Sequence, residues 1–195
     1  RVNGGTVKNL TVEGTVTIST TDYSSYVAGI VAYGKAATVD NCTNIVDVEG
    51  TKKGYAAGVI SYAIENSKIT GCENKGNVSG AGDYVGGICA SASATSIEKC
   101  INRGAIVNTG KSGAYSYNTG GIAGNMSSSS SISMCGNTGT VTSTLKRTGG
   151  IVGGLGGSVD KSFNTGAIAG IYGVGGIAGE ATTASLTITD CYNQG

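Results

Sequence analysis

The chain has 195 residues, a net charge of +1 and 13% charged residues, with 35 glycines and no proline, tryptophan or histidine. A near-neutral chain without a basic block argues against nucleic acid and anionic membrane as partners. The missing histidine removes the commonest acid–base and metal-binding side chain, and no apolar run approaches the roughly 18 residues of a membrane span, so no direct membrane insertion is expected.

Along the chain, a degenerate copy (Leu10, Val12, Gly14, Val16) precedes a two-part signature that recurs six times at about 29-residue spacing. Its first part is a glycine followed by a β-branched residue: Gly29-Ile30, Gly58-Val59, Gly87-Ile88, Gly121-Ile122, Gly150-Ile151 and Gly176-Ile177. Its second part places an asparagine two residues after a cysteine or serine. The pairs are Cys42 and Asn44, Cys72 and Asn74, Cys100 and Asn102, Cys135 and Asn137, Ser162 and Asn164, and Cys191 and Asn193. Self-similarity at this period means a stack in which each repeat buries its apolar face against its neighbours. The glycines fall at fixed positions, as turn and close-packing sites do, and not as low-complexity filler.

Within one repeat, alternate residues (Cys72, Asn74, Gly76, Val78) share one face of an extended segment. Val39, Ile69, Ile97, Ile132, Val159 and Ile188 lie three positions before the Cys/Ser position, on the opposite parity. The chain must bend between the two positions if both point inward. High glycine content and the absence of a 3.6-residue period exclude helices. The expectation is an all-β, right-handed parallel β-helix (β-solenoid) of about six coils, each built from three short extended segments and stacked into a rod of about 29 Å. One longer repeat carries the insertion Lys111 to Tyr117, and insertions in solenoids go to loops on one face. Residues 1–195 are read as a single solenoid domain cut from a longer polypeptide, with the rest of that polypeptide adjoining both ends.

Cys42, Cys72, Cys100, Cys135 and Cys191 fall in one column with Ser162 and Leu10. A column that accepts Cys, Ser and Leu reads as a buried small-residue site of free thiols. In-register neighbours are poorly aimed for disulfides, and without a CxxC pair or histidine no metal is expected. Asn44, Asn74, Asn102, Asn137, Asn164 and Asn193 are read as a ladder of stacked amides. Asp40, Thr70, Glu98, Ser133, Asp160 and Thr189 form a column in which acids alternate with hydroxyls. Its carboxylates then stand two coils, about 9.6 Å, apart, beyond the range that glycoside hydrolysis requires. No catalytic residue and no cofactor are expected.

Tyr26, Tyr55 and Tyr84 share one column and Tyr33 and Tyr62 another, all in the first three repeats. They are the candidate ligand-binding residues, since aromatic stripes can stack on sugars or partner side chains. Lys75 and Arg103 share a column and could meet an acidic glycan. Thr15 with Thr17 and Thr187 with Thr189 do not recur in register, which sets aside an ice-binding face.

The combination of a glycine, two hydrophobic residues and a small residue (Gly121 to Gly124, Gly150 to Gly153, Gly176 to Gly179), followed by the Cys-x-Asn-x-Gly-x-Val part, resembles the GLUG repeat of bacterial surface proteins. The first three copies carry Ala32, Ser61 and Ala90 at the fourth position. The resemblance implies a bacterial protein that is extracellular or cell-wall attached, with repeats serving as stalk or adhesive surface. It supplies no catalytic residues. The expected function is therefore a non-catalytic surface repeat module in adhesion or spacing, with a host surface protein or glycan as candidate partner. The alternatives are a carbohydrate-binding module using the tyrosine stripe and, less favoured, a polysaccharide-degrading β-helix enzyme.

Overall fold

A computed structural model describes residues 1–18, 25–50, 54–110 and 117–195. The insertion at 111–116 lies outside these residues. All regular structure among the described residues is strand, and every strand pairing is parallel, coil on coil. The chain is a β-solenoid of about six turns with the expected spacing.

Each complete coil contains five short strands, and the first and last copies contribute four each, where the sequence led us to expect three. In the second copy they are Tyr26–Ala28, Val31–Lys35, Thr38–Asp40, Thr43–Asn44 and Asp47–Glu49. Equivalent strands stack into five sheets of six or seven strands. The bends hide in the periodicity because they take only one or two residues. The bend expected from the change of parity falls just before the Cys/Ser column, where Asn9, Asn41, Gly71, Lys99, Met134, Lys161 and Asp190 all adopt left-handed backbone, with φ between 45° and 61°. This bend lets Val39 and Cys42, three apart, both point inward, and both are fully buried. Only one copy uses glycine there, so the bend is a property of the stack and is imposed on ordinary side chains.

The interior has two lobes. The larger holds the Val39–Ile69–Ile97–Ile132–Val159 column, the Cys/Ser column's thiols and the β-branched residues of the glycine signature. The smaller holds Val27, Ala56 and Val85 from the first sheet against Val48, Val78, Ile106 and Val141 from the fifth. Between the lobes runs a waist in which the signature glycines meet the asparagine amides across the coil. A β-carbon at Gly29, Gly58, Gly87, Gly121, Gly150 or Gly176 would overlap Asn44, Asn74, Asn102, Asn137, Asn164 or Asn193 respectively. The two invariant parts of the signature are thus one contact. The later glycine column packs along the axis: a β-carbon on Gly76, Gly104, Gly139 or Gly166 would overlap a carbonyl of the coil below.

Candidate functional site

The asparagine ladder is continuous. Each Nδ2 donates to the Oδ1 of the next coil at 2.7 Å, from Asn44 through Asn74, Asn102, Asn137 and Asn164 to Asn193. The second Nδ2 hydrogen is donated to the carbonyl two residues on, as from Asn102 to Gly104 at 2.9 Å. Asn44 to Asn164 are fully buried with their donors in use. A buried amide so satisfied is a structural part and not a ligand site.

The Cys/Ser column is a second ladder, one that spacing alone does not reveal. The backbone N–H of Cys72 donates to Cys100 Sγ at 3.4 Å, Cys100 N–H to Cys135 Sγ at 3.4 Å, Cys135 N–H to Ser162 Oγ at 3.1 Å, and Ser162 N–H to Cys191 Sγ at 3.5 Å. Each thiol or hydroxyl in turn donates to the carbonyl two residues before it, as Cys72 does to Thr70 at 3.3 Å. Ser162 fits because the column needs a small side chain that can both accept and donate. All six thiols are free, and all but Cys191 are buried. Burial pushes the Cys89 thiol up to about 12 and the Cys42 thiol up. Cys72 is raised by its hydrogen bond with Cys100 together with burial. Such thiols are poor nucleophiles.

The acid–hydroxyl column stacks in register as read, with Asp40, Thr70, Glu98, Ser133, Asp160 and Thr189 as successive partners. Thr189 Oγ1 donates to Asp160 at 2.7 Å, and Lys99 and Lys161 pair with the acids beside them. No group of three or more Cys, Asp or Glu side chains is placed to hold a metal among the described residues. A shallow groove of about 160 Å³, lined by Asn66, Lys68, Thr95 and Ser131 among others, contains no carboxylate. Lys75 and Arg103 both engage Glu73, at 3.1 and 2.6 Å. Burial acts to raise the Glu73 carboxyl, but these two cations outweigh it and hold the carboxyl below its ordinary range. The single carboxylate is thus shared by both cations and balances one of their two charges.

The five candidate tyrosines come together. The first and second sheets meet at the Gly29 bend, so the columns of Tyr26, Tyr55, Tyr84 and of Tyr33, Tyr62 lie side by side. Tyr26 stacks on Tyr62 at 5.3 Å and 12°, and meets Tyr33 and Tyr55 edge-on at 5.8 and 5.3 Å. Tyr62 meets Tyr33 and Tyr55 edge-on at 5.6 Å. Tyr55 and Tyr84 are the closest pair, with centroids 4.7 Å apart and planes tilted by 36°. All five are half-buried. Burial, with neighbouring phenols second, raises the Tyr26 and Tyr55 hydroxyls. Arg1 lies over the Tyr33 ring at 4.6 Å.

Towards the C-terminus the same two columns change chemistry. Asn118 donates to Asn125 at 2.8 Å, and Arg147 makes a two-pronged contact with Glu180, both bonds at 2.7 Å. Glu180 is held below the ordinary carboxylate range by that guanidinium. These four residues and Glu73 were missed in the sequence because side-by-side columns are invisible to a one-dimensional repeat. The pairing of Tyr84 with Asn118 and of Tyr62 with Ser91 in register was the available signal. No family model, curated protein or solved structure matches the chain.

Proposed function

We propose that the chain is a non-catalytic repeat module of a bacterial surface protein, extracellular or cell-wall attached, acting as a stalk or spacer or in adhesion. The observation that carries this reading is where the recurring side chains point. The glycine, asparagine and Cys/Ser columns all face inward and stack coil on coil, while the outward positions vary from coil to coil. What the repeat preserves is therefore the interior of the rod. Alternating acids, cations already engaged with Glu73 and buried high-pKa thiols fit the same reading, and so does the likeness of the signature to GLUG repeats.

A second reading, a carbohydrate-binding surface on the tyrosines, is favoured by five half-exposed rings in one patch. Against it, Tyr26, Tyr55 and Tyr62 already turn ring faces or edges on one another. The two readings separate in one experiment: the purified protein is incubated with a panel of polysaccharides and matrix proteins, and both new reducing ends and retention are measured. The spacer reading expects neither. Retention on a polysaccharide that is lost in a Tyr55→Ala, Tyr84→Ala double variant would establish the second reading, retention on a matrix protein would favour adhesion over a plain spacer, and release of reducing ends would overturn the non-catalytic claim.

A further inference from the structure

The tyrosine cluster has a chemistry that neither reading uses. Tyr55 and Tyr84 occupy the same strand position on adjacent coils, are the closest ring pair in the cluster, and are both half-exposed. Tyr26, Tyr33 and Tyr62 surround Tyr55 in an unbroken set of ring contacts of 5.3–5.8 Å. Elsewhere Tyr172 and Tyr192 are exposed, at 67% and 52%, and Tyr192 stacks on Phe163, not on another tyrosine. All six thiols are free, so no disulfide staples one coil to the next.

We propose that Tyr55 and Tyr84 form a site of oxidative cross-linking, in which a peroxide acting through a haem peroxidase joins adjacent coils by a dityrosine bond. The oxidant removes one electron and one proton from each phenol, and one peroxide is reduced to two waters as two phenoxyl radicals form. The radicals couple through a ring carbon ortho to each oxygen, making one carbon–carbon bond. Each of those carbons then loses its hydrogen as a proton while each oxygen regains one. The product has lost two hydrogens overall and holds two phenols. The neighbouring rings can pass the electron vacancy toward Tyr55, so oxidation of any member feeds the same pair. The chemistry is independent of the spacer reading, although a covalent staple between coils would suit a rod under load.

The test treats dilute protein with hydrogen peroxide and a haem peroxidase, followed by tryptic mass spectrometry. Cleavage after Lys53, Lys68, Lys75 and Lys99 puts Tyr55 in peptide 54–68 and Tyr84 in peptide 76–99. The expected result is a monomer lighter by two hydrogens, with these two peptides joined and blue dityrosine fluorescence. The cross-link should vanish in both Tyr55→Phe and Tyr84→Phe, which keep the rings and hence the packing. A cross-link that survives Tyr55→Phe would implicate Tyr62 and overturn the assignment. Coupling at any other pair, coupling only between molecules, or no coupling overturns it as well.

Discussion

Replacing Asn102 by alanine tests the waist at its centre. The side chain accepts from Asn74 and donates to Asn137, both at 2.7 Å, and donates to Gly104 O at 2.9 Å. Removing it leaves the Asn74 amide hydrogen without its acceptor and the Asn137 Oδ1 without its donor, both in a fully buried waist, and takes the side-chain donor from the Gly104 carbonyl. Each orphaned buried group costs about 1–3 kcal/mol, so the two ladder groups alone should cost about 2–6 kcal/mol, a large share of an ordinary domain's stability. Asn193→Ala removes only one ladder bond, from Asn164, at an exposed rung, and should cost less than about 1 kcal/mol. Stacked repeats need not unfold in one step, so strand content should be followed by circular dichroism across a denaturant series and the midpoints compared. Equal shifts for the two variants, or a negligible shift for Asn102→Ala, would refute a coupled ladder.

Three further outcomes are expected. Thiol titration of the native protein should label Cys191 first and leave Cys42, Cys72, Cys89, Cys100 and Cys135 unreacted until denaturation; rapid labelling of all six would show an open column. Alkali should unfold the chain. Above about pH 9 the unfolded state loses thiol protons that the fold retains, so the unfolded state binds fewer protons and stability falls, by about 1.4 kcal/mol per pH unit for Cys89 alone until its own pKa of about 12; a flat pH profile from 8 to about 11 would contradict the burial argument. Met134→Gly should raise the unfolding free energy by about 1 kcal/mol and with it the denaturation midpoint, since Met134 is exposed and held at φ 53°; a lower midpoint would mean the bend is not strained.

Much of the fold was legible because a solenoid writes its axial contacts into the sequence as a period. The partners of Cys72, Asn74 and Val78 are the residues one repeat away. Contacts across a coil have no period to betray them. The Gly29 to Asn44 contact joins the two halves of the signature, yet in sequence these are simply two conserved-looking positions 15 apart. The bend before the Cys/Ser column was legible from the change of parity, but the break between Glu73–Asn74 and Val78–Gly80 was not, because Cys72, Asn74, Gly76 and Val78 keep one inward parity straight through it. At the candidate site, the sequence placed the tyrosines in two columns but could not tell that the columns adjoin, or that Glu73 pairs with both Lys75 and Arg103.

The central claim is that each coil is an interchangeable length of rod. Its most direct test is to excise one coil, residues Val59 to Gly87, 29 residues in all. Gly58 then joins Ile88, which restores the signature, and Asn44 meets Asn102 in the place of Asn74. The shortened chain should fold with its strand content per residue unchanged, its axis shorter by about 4.8 Å, and the Asn44 side-chain amide protected from hydrogen exchange by its new neighbour. A chain that unfolds, aggregates or leaves that amide exchanging freely would contradict the account.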